Sequence, residues 1–474
     1  MDLDLSSHEG TLTHRIADAL AKRMASGALP AGEKLPSVRR LAGRLGVSPF
    51  TVVAAYDRLV ADGLIVARTK SGFFVSPRAK AARPLQLDPQ PSAGAGVNPV
   101  WMMRRSLVLD PAQPRPGCGW LPEDWLPGAA LRAALRAISR AEDSNFLEYG
   151  VPLGYRPLRE LLARRLNEID IPATPDRLIL VDGASQAIDL ICRYLIEPGD
   201  AVLVDDPGYF NFHTVVRAQG GRLLTVPMTP QGPDLDALEA LAAAHAPKLY
   251  LINAGLQNPT SCRMNLATAH RLLGLAQRYD FRILEDDIFR DYEAHPYPRL
   301  GALDGLSRVF HMSSFSKTLS AATRLGFIAA DAETIAGLVD LKLAVSFGNN
   351  EVSAQLIHHL LKDGSYRKHV ANIRDRLARL RHQVGRKLAA LGFTPWDASA
   401  VESDEGMFLW LALPTGRNGR PLATDIAFSA EAAGLVLAPG NVFSPDGNWP
   451  HHLRFNVAQC QDPRVFSTLK QLLA

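Results

Sequence analysis

The chain has 474 residues, 47% hydrophobic and 21% charged, with a formal net charge of +4. These are ordinary globular proportions on a length that exceeds one core and predicts two to four folding units. No apolar run approaches the roughly 18 residues that span a bilayer, and the acidic opening MDLDLSSHEG lacks the basic and apolar regions of a signal peptide. Cys118, Cys192, Cys262 and Cys460 stand far apart with no C-x-x-C pair, which argues against a zinc site or disulfide framework. A cytoplasmic protein without a membrane partner is expected. The charge is unevenly placed, with 13 Lys/Arg against 7 Asp/Glu in residues 1–85, so that the remainder is slightly acidic. Such a segment suits an anionic partner such as nucleic acid, although an excess of this size is also what a solvated face carries.

In chain order, Thr11 to Ser26 places Leu12, Ile16, Ala19, Leu20 and Met24 on one helical stripe that stops at Gly27. Ser37 is a good N-cap for SVRRLAGRLG, ending at Gly46, and Ser48 caps a third helix with Pro49 in its first turn, running to Gly63. Two helices joined by a turn of about three residues form a helix-turn-helix, the second helix suiting a DNA major groove. LIVARTKSGFFVS then alternates around Lys70-Ser71-Gly72, the pattern of a two-stranded wing. The residues GEKLPSVRRLAGRLGVS, AYDRL, GLI and SGFFV resemble the GntR-type winged helix over residues 8–77. That resemblance implies phosphate contacts from Arg39 and Arg40, backbone or base contacts from Ser48, Phe50 and Thr51, and wing contacts from Arg68 and Lys70. Pro49 stands where related sequences often carry Arg, which removes one basic contact near the bases.

Residues 78–99, rich in Pro, Ala and Gly, read as a semi-flexible tether. From residue 100 onward an amphipathic helix ALRAALRAISRA is followed by apolar runs at 178–181, 201–205, 248–253, 282–286, 307–313 and 325–329 that alternate with helical segments. That alternation predicts an α/β fold with a mostly parallel sheet covered on both faces, ligands collecting at the carboxyl ends of its strands. After about Asn350, long helices and two late strands, GMFLWLAL and HHLRFNV, predict a smaller α+β subdomain at about 346–474, beside a large one at about 115–345.

The motifs fall at those strand ends. VDGASQAIDL leaves a strand into a helix whose first N–H groups, at Ala184, Ser185 and Gln186, suit an anion. DDPGYFNF presents Tyr209, a ring able to stack on a flat heteroaromatic; QNPTS holds Asn258 in a turn with a free amide; ILEDDIF ends a strand in carboxylates able to keep a ring nitrogen protonated. SSFSKTLSAATR places Lys317 among Ser314, Ser316 and Arg324, an amine beside phosphate-binding groups, and HHLRFNV places Arg454 where it could pair with a carboxylate. Each motif alone has a plain structural alternative: a surface lysine, an ordinary α/β turn, core packing, an Asx-Pro turn, a helix cap, a surface ion pair.

Their order and spacing over residues 100–474 resemble the fold-type-I enzymes that use pyridoxal 5'-phosphate (PLP), specifically class I/II aminotransferases. The resemblance implies that Lys317 joins the cofactor aldehyde, Asp286 faces the pyridine nitrogen, Tyr209 stacks on the ring and Asn258 binds the ring oxygen. Ala184, Ser185, Gln186, Ser314, Ser316 and Arg324 would hold the phosphate, Arg454 would take a substrate carboxylate, and Tyr149 would reach the cofactor of a neighbouring subunit in a homodimer. Two positions depart from the family: Phe289 replaces a tyrosine that shares the ring oxygen, and Ser261 replaces a glycine. Winged helix, tether and aminotransferase-like body together resemble the MocR group of regulators. This implies a PLP-bound homodimer, of a kind often domain-swapped in that group, that binds double-stranded DNA and senses an amine, an amino acid or PLP. A working aminotransferase with an accessory head is the alternative.

Overall fold

The computed structural model describes residues 11–68, 71–76, 98–108, 113–140, 147, 149–295, 297–362, 364–398, 403–416 and 419–473. The chain divides into two units, Met1–Gln90 and Pro91–Ala474.

Capping chemistry sets the first unit. α1 (Leu12–Ala25) buries Ile16, Ala19, Leu20 and Met24, while Leu12, expected on the same stripe, stays 39% exposed. α2 (Val38–Leu45) begins where the Ser37 hydroxyl accepts from Arg40 N–H at 3.4 Å and ends at Gly46, whose φ of 64° is the left-handed conformation that glycine adopts without strain. α3 (Pro49–Ala61) begins where Ser48 accepts from Phe50 N–H at 3.2 Å. β1 (Ile65–Arg68) and β2 (Gly72–Val75) pair antiparallel as the expected wing. Ile16, Leu20, Leu41, Val52, Tyr56 and Leu59 form the core, and Tyr56 donates its hydroxyl to the Pro36 carbonyl at 2.8 Å, so the buried phenol is satisfied.

The second unit is built on an eight-stranded sheet in the order β3-β10-β9-β8-β7-β4-β5-β6. Its strands are β3 (Leu178–Val181), β4 (Ala201–Asp206), β5 (Arg222–Thr229), β6 (Gly232–Pro233), β7 (Leu249–Ile252), β8 (Arg282–Asp286), β9 (Val309–Ser314) and β10 (Gly326–Ala329). β5, β4, β7, β8 and β9 run parallel, and β10 lies antiparallel between β9 and β3. Every residue of β3, β4, β7 and β10 is buried, which is why these strands read as unbroken apolar runs. β5 was not among the expected strands. Its burial alternates, it contains Pro227, and its far neighbour is the two-residue β6, all traits of a strand near a sheet edge.

A second sheet, β11-β12-β14-β13, consists of β11 (Thr394–Pro395), β12 (Phe408–Ala412), β13 (Ala438–Pro439) and β14 (His452–Asn456). The helix Ser365–Ala390 contributes Ile373, Leu377, Val384 and Leu388 to a core that also contains Phe408 and Phe455 of this sheet and Leu256, Phe289 and Tyr292 from beside the large sheet. The stretch 114–117 hydrogen-bonds to the small sheet's side of the unit: Val436 donates to the Pro114 carbonyl, Gly117 to that of Val436, and Asn456 to that of Pro116, at 2.7–3.1 Å.

Behind the end of β8 lies a buried ionic network. Arg299 donates to both oxygens of Asp287 and, at 2.6 Å, to Glu293, and His311 on β9 meets Glu285 at 3.0 Å. All five side chains are at most 5% exposed. Removing the cation would strand two buried carboxylates. Arg299→Met should therefore destabilise the larger unit by about 3–5 kcal/mol, read as a lower urea midpoint for that unit with the first unit's transition unmoved.

Candidate functional site

Parallel strands deliver their carboxyl ends to one place. Beyond β4 comes Tyr209, beyond β7 Asn253 and Asn258, at the end of β8 Asp286, and beyond β9 Lys317; all line one cavity with Ala184, Ser185, Ser316, Arg324 and Arg454. Nine residues singled out from sequence thus come together.

Lys317 is half-buried and its amine donates to the Gly119 carbonyl at 2.8 Å. Burial, reinforced by Arg454 and Arg324 and opposed by Asp286, lowers its pKa to about 8. Tyr292 donates its hydroxyl to the Lys317 carbonyl at 2.5 Å, fixing the backbone that carries the amine. Asp286 is 2% exposed, and one of its oxygens accepts from Ile288 N–H at 3.1 Å. Burial raises its pKa to about 7, and among the described residues no cation lies within ion-pair distance. The pleat separates it from its neighbours, for Glu285 and Asp287 turn into the network with His311 and Arg299.

At the start of helix Ala184–Leu195, Gly183 holds φ 84°, and a Cβ there would stand 2.6 Å from Arg324 Nη2. Glycine is what lets this guanidinium lie against the helix start. Arg324 donates to the Asp182 carbonyl at 3.1 Å and reaches Ser316 Oγ at 3.5 Å, so cation, hydroxyl and helix N-terminus converge as an anion cradle. Arg454 on β14 is 2% exposed; Nη1 donates to Asn258 Oδ1 at 2.7 Å, Nη2 to the Gly117 carbonyl at 2.6 Å, and the guanidinium lies 4.3 Å from the Phe408 ring centroid. Burial pushes its pKa down to about 10. Because Oδ1 of Asn258 is taken by Arg454, its N–H groups are the part left for another acceptor.

Three expected residues are not among those lining this cavity. The Ser314 hydroxyl donates to the Leu325 carbonyl at 3.0 Å inside the fold. Gln186 turns its side-chain amide to Asp182 N–H and Ser346, which leaves the backbone N–H, the group expected to face the phosphate, unaffected. Tyr149, expected at the cofactor of a neighbouring subunit, is 87% exposed and packs against Phe347, itself 64% exposed. Phe289 lines the cavity, edge-on to Phe408, with no hydroxyl to offer. Ser261 holds a positive φ of 59° and donates its hydroxyl to the Phe408 carbonyl at 2.9 Å, so the turn keeps its glycine-like conformation.

Sequence reading missed other lining residues. Asn253 ends the apolar run at 248–253, a position that could have flagged it; Trp120 and Met102 carry no chemical signal. Two buried polar atoms of the cavity, Asn253 Oδ1 and Arg454 Nε, have no hydrogen-bond partner. An amine of lowered pKa, a buried carboxylate without a cation, an anion cradle, the Tyr209 ring and these polar atoms together fit a phosphorylated pyridine aldehyde.

In the first unit Arg39, Arg40, Ser48 and Arg68 are exposed, Thr51 is half-buried, and Phe50 is 84% exposed in the first turn of α3. The Arg68 guanidinium lies 4.5 Å from the Phe74 ring centroid. Lys70 lies outside the described residues. Exposed arginines at the start of α2 and on the wing, with an exposed aromatic at the start of α3, are what a winged helix-turn-helix presents to DNA. Among the described residues no helix is long and apolar enough to cross a membrane.

The fold and cavity define a fold-type-I PLP-dependent protein carrying an N-terminal winged helix. The family profile "Aminotransferase class I and II" matches residues 122–471, and "Bacterial regulatory proteins, gntR family" matches residues 12–75. The chain belongs to the class I and II aminotransferase family, in the arrangement fused to a GntR-type DNA-binding domain, and the cofactor this fold implies is PLP. It is 30% identical to the HTH-type transcriptional regulator TauR of Rhodobacter capsulatus, over 92% of this chain and 90% of that one. To the probable rhizopine catabolism regulatory protein MocR of Rhizobium meliloti it is 27% identical, over 92% and 87%. Among solved structures, LysN, an alpha-aminoadipate aminotransferase from Thermus thermophilus complexed with N-(5'-phosphopyridoxyl)-L-leucine, superposes with a TM-score of 0.70 at 26% identity, covering 78% of this chain and 94% of that one.

Since only the neutral amine attacks an aldehyde, covalent capture of PLP by Lys317 should accelerate as pH rises through about 8 and then level off. Borohydride trapping against pH checks this, with Lys317→Ala giving no adduct at that position.

Proposed function

We propose that this chain is a cytoplasmic, PLP-bound, homodimeric transcription regulator that senses an amine, an amino acid or PLP through Lys317. One observation carries the reading: a winged helix whose α2 and α3 are N-capped by serine hydroxyls and a cavity with its lysine, carboxylate and two arginines occur in the same chain. In this reading Lys317 holds the cofactor aldehyde, Asp286 keeps its ring nitrogen protonated and Tyr209 stacks on its face. Asn258 N–H groups meet the ring oxygen, and the Ala184, Ser185 and Gln186 backbone with Ser316 and Arg324 holds the phosphate. When bound, the cofactor supplies a cationic ring that draws electrons from the atom joined to it. Arg454 orients an incoming carboxylate. The exposed Tyr149–Phe347 pair supports a partner subunit at that surface, and Arg39, Arg40, Ser48, Phe50, Thr51, Arg68 and Lys70 are the proposed DNA contacts. Regulation then follows from linkage: a ligand that changes the larger units' arrangement changes the spacing of two tethered heads on a two-fold operator.

A gel shift on the gene's own upstream region, with and without PLP and a panel of amines, tests this. DNA binding by the wild type should change with these ligands, and Lys317→Ala should bind DNA without responding; an unchanged response in that variant would sink the reading.

The second reading, a working aminotransferase, is favoured by the co-location of Lys317, Asp286, Asn258 and Arg454. Phe289 weighs against it, because a missing phenol leaves the ring oxygen less stabilised. Phe289→Tyr should raise any transamination rate several-fold, one added hydrogen bond being worth about 0.5–1.5 kcal/mol; an unchanged rate in a coupled assay would remove this objection to full catalysis.

A further inference from the structure

One wall of the cavity answers to nothing the cofactor requires. Met102, Met103, Ser106 and Leu107 fall on one face of helix Pro99–Val108 and line the cavity with Phe210 and Ile288. The helix is pinned elsewhere: Trp101 packs against Phe428 with ring centroids 5.6 Å apart, and Arg105 pairs with Glu431 at 2.6 Å. Leu107, though it lines the cavity, is 74% exposed, an apolar side chain at the mouth that a ligand would cover.

The charges are as restrictive as the wall. Among the described residues, the cations lining the cavity are Lys317, Arg324 and Arg454. Arg324 belongs to the anion cradle and Lys317 is the amine, which leaves Arg454 alone, buried, with Nε unpartnered and no carboxylate within ion-pair distance among the described residues. One cation serves one carboxylate. A second carboxylate, directed at the methionine wall, would lose its hydration without gaining a partner.

We infer that the ligand of this cavity is an amino acid with one carboxylate and an apolar side chain, the carboxylate on Arg454 and the side chain against Met102, Met103 and Leu107. The inference rests on the cofactor reading above and adds the ligand class to it. Two unbranched thioethers adapt to different shapes, so branched aliphatic and aromatic side chains are both accommodated. The contacted helix is also the first described element after the predicted tether in the chain, so ligand contact falls on the segment that adjoins it.

The test titrates PLP-loaded full-length protein with L-leucine, L-phenylalanine, L-aspartate, L-glutamate and 3-methylbutylamine, read by calorimetry and by the visible spectrum. Leucine or phenylalanine should bind at least about tenfold more tightly than either dicarboxylate and than the amine lacking a carboxylate. Met103→Lys should shift the preference toward glutamate by about tenfold, and Leu107→Lys, at an exposed position that tolerates charge, should shift it the same way if the first variant folds poorly. Failure to retain PLP would overturn the cofactor reading and this inference together. Retained PLP with aspartate or glutamate bound as tightly as leucine would overturn the inference alone. Equal binding of leucine and 3-methylbutylamine would overturn the Arg454 assignment, and an unmoved preference in both lysine variants would overturn the wall.

Discussion

Three consecutive carboxylates at the end of β8 are all buried, and much of the site depends on how that charge is divided. Glu285 accepts from the backbone N–H groups of Leu300 and Gly301 and meets His311; Asp287 is clamped by Arg299. Only Asp286 is left facing the cavity, its charge disfavoured by burial and answered at longer range by Lys317. A strand alternates its side chains, so the division follows from the pleat. The partners behind it hold the two outer carboxylates back from the cavity. The large sheet therefore does more than position a carboxylate. It isolates one.

The lysine's environment has the same origin. Burial and two arginines disfavour the charge on this half-buried amine, and the main opposing charge is that of Asp286. Each arginine is steadied by neutral oxygens: Arg324 by the Asp182 carbonyl and Arg454 by Asn258 and the Gly117 carbonyl. Cationic groups bound to carbonyls keep their charge available to an anion, whereas groups closed into salt bridges would not.

Much of this was legible in the sequence. Ser37, Gly46 and Ser48 announce helix ends because local hydrogen bonds and a left-handed φ decide them. The buried strands announce themselves because both faces must be apolar. The functional groups at strand ends follow, since their motifs are chemical and contiguous. What was not legible depends on tertiary geometry. Ser314 and Ser316 look equivalent in sequence, yet strand direction turns one hydroxyl to the Leu325 carbonyl and leaves the other beside Arg324. The methionine wall carries no motif, because apolar residues on a helix read the same whether they meet a core or a cavity. Ser261 shows a milder case, in which a position suited to glycine is kept in shape by a hydroxyl bond to Phe408.

The short stretch from Pro114 to Trp120 has a mechanical meaning. Its carbonyls at Gly117 and Gly119 accept from Arg454 and Lys317, that of Pro116 accepts from Asn456 N–H, and those of Cys118 and Trp120 accept from the Asn456 amide. Gly117 presses so closely on the Leu437–Ala438 backbone that a Cβ would stand 2.5 Å from Ala438 N. The stretch is thus a strap sewn to the small sheet along one edge and gripping the cavity's two deepest cations along the other. Lys317 extends from the large sheet and Arg454 from the small one, so the strap's carbonyls join groups carried by both sheets. Because one short stretch of backbone accepts from both cations, displacing one sheet against the other would have to break one of these two hydrogen bonds or carry the strap with it.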